Sequence, residues 1–251
     1  MTETVGDDAQ TRRPGIEWHP DAARPPFEWH VRLPTDWAVV ETHPARWKRQ
    51  NERIVDDYFA GRRVRSKDRK DLLRAMEDVV ALAQRKKVLL TLLKPGVDDE
   101  GRIANVVLNI TFDSSTGRLA SMAPIRRAFG DGDTFEERTT PSGNAYGITT
   151  IRRSQQDGSG LREVVSVQGF YPMPGTTWTL VVAVTTPQIH LADSLRDMVI
   201  RCIGSVRTDA TETGSAPDTD AVTLDDDTPI VEADTPTSDD AVDLVGYEFE
   251  P

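Results

Sequence analysis

The sequence predicts an α+β domain in which a mainly antiparallel β-sheet is covered by helices on both faces. Three observations point there. Residues 161–186 (LREVVSVQGFYPMPGTTWTLVVAVTT) hold two apolar strands joined by a Pro-Gly turn. In the second strand Trp178, Leu180, Val182 and Val184 alternate with Val181 and Ala183. A strand apolar on both sides is a central strand with layers above and below it. Helical periodicity is concentrated early in the folded unit and at its end, and most strand connections are hairpin-length.

The elements follow in order. Residues 1–26 are polar, carry Pro14, Pro20, Pro25 and Pro26, and read as a disordered or irregular arm that Trp18 is placed to anchor. Phe27 to Glu41 (FEWHVRLPTDWAVVE) reads as two short strands with a turn at Pro34 to Asp36. Pro44 to Phe59 reads as a helix, with Trp47, Ile54, Val55 and Tyr58 on one face, proline tolerated in its first turn, and Gly61 as its stop. Ser66 to Lys87 is the clearest helix. Ser66 is its candidate N-cap, Leu72, Met76, Val79 and Ala83 recur at helical spacing, and Arg85, Lys86 and Lys87 suit the negative end of its dipole.

Val88 to Leu93 and Ile103 to Phe112 read as strands around the turn KPGVDDEG, with Ala104, Val106, Leu108, Ile110 and Phe112 sharing one face. A helical turn is expected near Leu119 to Phe129, then a hairpin of Phe135–Thr140 and Tyr146–Arg153. Glu163–Tyr171 and Thr177–Thr186 complete the sheet. A last helix carries Leu191, Leu195, Met198, Val199 and Cys202 on one stripe. The domain is therefore expected over residues 27–207.

Charge divides the chain. The 251 residues carry a formal net charge of −11. Residues 208–251 hold 14 Asp plus Glu and no Lys or Arg, so this stretch is −14 and the remainder +3. The stretch is too poor in apolar residues to offset the entropy of ordering it, and reads as an acidic disordered tail. A single cysteine excludes an internal disulfide. The polar N-terminus lacks the apolar core of a secretory signal, and no run is long enough to span a bilayer. A cytoplasmic protein with no membrane association is expected.

Catalytic patterns are missing. The four histidines, His19, His30, His43 and His190, have no metal-ligand spacing, and Cys202 has no second cysteine to join it. Asp98, Asp99 and Glu100 fit a hairpin turn rather than a calcium loop. No nucleophile elbow and no phosphate-binding glycine pattern occurs, and Cys202 sits on an apolar stripe where cysteine acts as a small hydrophobe. The triplet Asn109-Ile110-Thr111 falls within a strand, so it is not read as a glycosylation site. No catalytic residue, metal or cofactor is expected.

Two features remain for recognition. Arg62, Arg63, Arg65, Lys67, Arg69 and Lys70 crowd the link between the early helices. They form either a solvated helix entrance or a docking patch for an acidic partner or the chain's own tail. Nucleic acid is not expected, because no aromatic platforms interleave with these cations. The tail is either a self-repelling extension or a partner-binding arm. It offers Thr228-Pro229 and Thr235-Pro236 for modification, and Tyr247 and Phe249 to fill small pockets.

The opening FEWHVRLPTDW, the hairpin VSVQGFYPMPG with WTLVVAVTTP, and the closing ADSL and GSV resemble the PsbP-like or Mog-like domains. The chain is similar to actinobacterial proteins on that plan, with Trp47 and Arg53 filling the place of their tryptophan-and-arginine helix. The likeness spans about residues 27–207. It implies an α/β/α sandwich, usually without catalysis, in accessory or assembly factors and small-GTPase binders, some near type VII secretion genes. It supplies no catalytic residue to carry over. Two functions are thus expected in competition. One is a non-enzymatic protein-binding or accessory module with an acidic regulatory tail. The other is a small-ligand-binding protein or unrecognised enzyme with a pocket lined by Trp29, Trp37 or Trp178.

Overall fold

The computed structural model describes residues 19–61, 65–96, 104–115, 117–129, 134–157 and 160–208. The chain runs β1 (Trp29–His30), β2 (Ala38–Val40), α1 (Trp47–Phe59), α2 (Ser66–Arg85), β3 (Leu90–Lys94), β4 (Val106–Ser114) and α3 (Met122–Ala128). It continues through β5 (Glu136–Thr139), β6 (Ala145–Asp157), β7 (Gly160–Pro172), β8 (Trp178–Thr186), α4 (Ala192–Gly204) and β9 (Arg207–Thr208). The expectations for residues before 19, for the DDE turn at 98–100 and for the acidic tail from 209 lie outside the described residues.

Seven strands form one sheet in the order β2-β3-β4-β8-β7-β6-β5, and every neighbouring pair is antiparallel. The doubly apolar β8 stands fourth of the seven, between β4 and β7. Strand alternation is clean in β4: Val106, Leu108, Ile110 and Phe112 are buried, while Val107, Asn109 and Thr111 are half-buried. The β7–β8 turn needs Gly175, whose φ is +69°, and Trp178 C=O accepts from Met173 N–H at 2.8 Å to close it.

α4 packs Leu195, Val199, Cys202 and Ile203 into a cluster with Leu108, Ile110, Val167, Val182 and Val184. Gly169 makes this approach feasible. A Cβ there would lie 2.2 Å from Ile203 Cδ1 and 2.7 Å from Val199 Cγ1. A second cluster joins Val55 of α1 and Leu72, Met76 and Val80 of α2 to Val40, Leu93 and Val107. A third joins Ile125 of α3 to Phe170 and Val181, with Phe129 and Phe135 stacked at 4.7 Å beside it.

Several local expectations change. The two strands expected in the FEWHVRLPTDWAVVE stretch are present, and they belong to different sheets. β1 pairs with β9, whereas β2 pairs with β3. Turn signals show where a chain bends, but partner choice is a long-range matter. Here Arg32 N–H donates to Ser205 Oγ at 2.8 Å, drawing the early strand to the chain's late end. Residues 19–26 are irregular, yet Ala22 is buried in the α4 cluster. α1 begins at Trp47, and Pro44 lies in the preceding turn. Ser66 is the first residue of α2 rather than its cap. Arg65 caps it in an extended conformation without a side-chain hydrogen bond.

α2 ends at Arg85 in a defined stop. Val88 N–H donates to Ala83 C=O at 2.9 Å and Lys87 N–H to Gln84 C=O at 3.1 Å, with Lys87 at φ +52°. This is a Schellman motif with lysine where glycine is usual.

Candidate functional site

The entrance of α2 is positioned by the packing beneath it. Leu72, Met76 and Val80 turn inward against Val55 and Leu93, so helical periodicity turns the residues between them outward. Arg65, Lys67, Arg69 and Lys70 are all exposed. Arg62 and Arg63 lie outside the described residues, so the structure assembles four of the six expected cations. Arg69 also links the two helices: its Nη2 is 2.7 Å from Asp56 Oδ1 on α1, and its Nε donates to the same oxygen at 3.2 Å. Both side chains are exposed, so the pair contributes at most about 1 kcal/mol. Arg65, Lys67 and Lys70 add positive charge at a helix end whose peptide dipoles are already positive. Asp68 is the acidic residue of that first turn. Such an arrangement attracts carboxylates. Tyr247 and Phe249, the expected tail contacts, lie outside the described residues.

The aromatic residues proposed for a pocket do not line one common depression. Trp29 meets Phe112 edge-on with centroids 4.8 Å apart, and Phe112 meets Trp178 at 6.3 Å. Trp29 also lines an open depression of about 410 Å³ with Arg24, Phe27, Glu28, His30 and Leu89. Trp29, Trp37 and Trp178 all pack against the α4 cluster, and of the three only Trp29 lines this depression. Its lining mixes the apolar Phe27, Trp29 and Leu89 with the charged Arg24 and Glu28, a combination suited to a small amphipathic group.

Cys202 is buried in α4, and burial pushes its thiol up to about 11, against a smaller opposing effect of Arg201. At neutral pH it is protonated and poorly nucleophilic. Among the described residues no group of three or more His, Cys, Asp or Glu is placed to hold a metal ion. No described helix is long and apolar enough to cross a membrane.

Sequence reasoning missed a row of polar residues across the sheet, interrupted only by Ala183 on β8. Register aligns Thr91, Asn109, Ala183, Gln168 and Thr149 side by side on β3, β4, β8, β7 and β6. Thr91 Oγ1 donates to Asn109 Oδ1 at 2.9 Å, while Thr149 Oγ1 is buried without a partner. The signal was present as polar residues at alternate strand positions, but a solvent-facing side reads identically. Comparison with protein-family models, curated proteins and solved structures gave no match.

Proposed function

We propose that the protein is a non-enzymatic binding module, layered as an α/β/α sandwich, whose α2 entrance docks a carboxylate-rich protein segment. The observation that carries this is the exposed cluster of Arg65, Lys67 and Lys70 at the positive end of a long helix. The −14 charge of residues 208–251 makes the chain's own tail the nearest competitor for that cluster. The tail would thus regulate access, and an acidic partner would displace it. The PsbP-like or Mog-like resemblance supports an accessory role of this kind, and α4 against α1, α2 and α3 supports the layering.

The test uses a labelled peptide of residues 217–243 titrated against the chain ending at 208, read by fluorescence anisotropy. Binding should weaken steeply with salt and disappear in the triple variant R65E/K67E/K70E. Equal affinity for wild type and triple variant would end the proposal. A second reading, small-ligand binding, draws on the depression under Trp29. A metabolite that raises Tm in the wild type but not in Trp29→Ala would favour it.

A further inference from the structure

Among the described residues, the edge strand β5 leaves part of its neighbour's outer side unpaired. β5 pairs only with Ala145–Ile148 of β6, although β6 runs on to Asp157. On its other side β6 pairs with β7 along its whole length from Gly147, to Asp157 opposite Gly160. β7 in turn reaches β8 only from Val165 onward. The β6–β7 hairpin therefore projects beyond the sheet as a two-stranded ribbon. Among the described residues, Thr134 Oγ1 reaches Thr150 C=O at 2.7 Å, and no strand pairs with the outer side of 151–157. Such an edge is a template for an added strand.

This edge carries one half-buried apolar residue, with an exposed arginine on each face. Ile151 is half-buried and shares its face with the exposed Arg153 and with Gly147, which lies against the Phe135 ring and Met122. Arg152 is exposed on the opposite face, the one that Ile148 shares with the α4 cluster. A matching strand would set an apolar residue beside Ile151 and acidic residues within reach of the two arginines. Within residues 209–251 the aromatics are Tyr247 and Phe249, and the stretch Val245-Gly246-Tyr247-Glu248-Phe249-Glu250 supplies both. Val, Tyr and Phe are also strong strand formers. The 34 intervening residues, 209–242, span up to about 110 Å when extended, so the covalent link permits the contact.

We propose that residues 243–250 add to the outer edge of β6 as an eighth strand of the large sheet. Tyr247 and Phe249 lie on the face of Ile151, and Glu248 and Glu250 on the face of Arg152. This site is separate from the α2 entrance, and its occupant is the chain's own C-terminal segment rather than the acidic stretch before it.

Hydrogen exchange on the full chain tests it. Glu248→Pro removes a backbone donor from the added strand without touching the described fold. Outward amides within 151–157 should exchange about tenfold faster in this variant than in the wild type, with β8 and α4 unchanged. Arg152→Glu should produce the same loss, and Lys67→Glu/Lys70→Glu should not, which separates this site from the α2 entrance. Equal exchange in wild type and Glu248→Pro would overturn the proposal. So would protection that appears only with a doubled mass by light scattering, since the edge would then belong to a second copy.

Discussion

Gly169 and Cys202 show how single positions set the distance between α4 and the sheet. A methyl group at 169 would collide with Ile203 and with the stiff, β-branched Val199. Gly169→Ala should cost about 1–3 kcal/mol and lower Tm by several degrees. Adding Val199→Ala should recover part of that loss, giving a non-additive double-mutant cycle; strict additivity would show that the contact does not limit the approach. Cys202 makes a pH prediction. Its folded value of about 11 lies above the ordinary 9.0, so the unfolded state loses its proton first. Its contribution is intact below pH 9 and is lost as pH rises through about 11. Cys202→Ala should flatten the alkaline fall of stability, and thiol labelling at neutral pH should require unfolding. Rapid labelling of the native protein would contradict the buried thiol.

Element ends explain which boundaries could be read in advance. The interior of α2 was legible from its periodicity, but its cap was not, because Ser66 lies one residue inside the helix and contributes no capping bond. The Schellman stop at Lys87 was hidden for the opposite reason, since lysine carries no turn signal. Lys87→Gly should raise stability by about 0.5–1 kcal/mol, measured by urea denaturation, because glycine adopts this conformation without a Cβ penalty. A loss of stability would mean that the lysine side chain contributes more than its backbone costs.

The edge strand β5 offers a second prediction at this scale. Its Glu136 contacts Arg196 of α4 at 2.6 Å and Arg138 at 3.1 Å, and Glu137 pairs with Arg126 of α3. Burial pushes the Glu136 carboxyl up, but the hydrogen bonds from Arg138 and Arg196 outweigh it and hold it below its ordinary 4.5. The hydrogen bond from Arg126 holds Glu137 below 4.5 likewise, against a smaller effect of burial. These lowered values stabilise the fold above about pH 4.5 and cease to do so as pH falls through them. The Tm difference between wild type and Glu136→Gln/Glu137→Gln should therefore shrink towards about pH 3. A constant difference from about pH 7 downward would show that these pairs do not hold the edge.

For the whole molecule, the decisive quantity is the charge split between +3 over residues 1–207 and −14 over residues 208–251. A docked acidic segment and a self-repelling one respond oppositely to salt. Screening releases the first and lets the second contract. On the binding reading, the hydrodynamic radius of the full chain should grow as salt is raised to about 0.5 M. A shrinking radius would favour an extension that repels itself.

Composition and periodicity alone determined the α+β class, the central place of β8 and the inward stripes of α2 and α4. Each follows from local alternation or helical spacing, which the chain displays without reference to distant residues. Partner choice was decided only in three dimensions. Nothing near Trp29 announces Arg207 and Thr208 as its ladder, and nothing in β6 announces that β5 stops short of covering it. The exposed cations of α2 lie between these cases: their charge was visible in one dimension, but the inward turn of Leu72 and Met76 decided that they stand together at a surface. Long-range pairing depends on how distant hydrophobic faces meet, and that information is shared among segments rather than carried by any one of them.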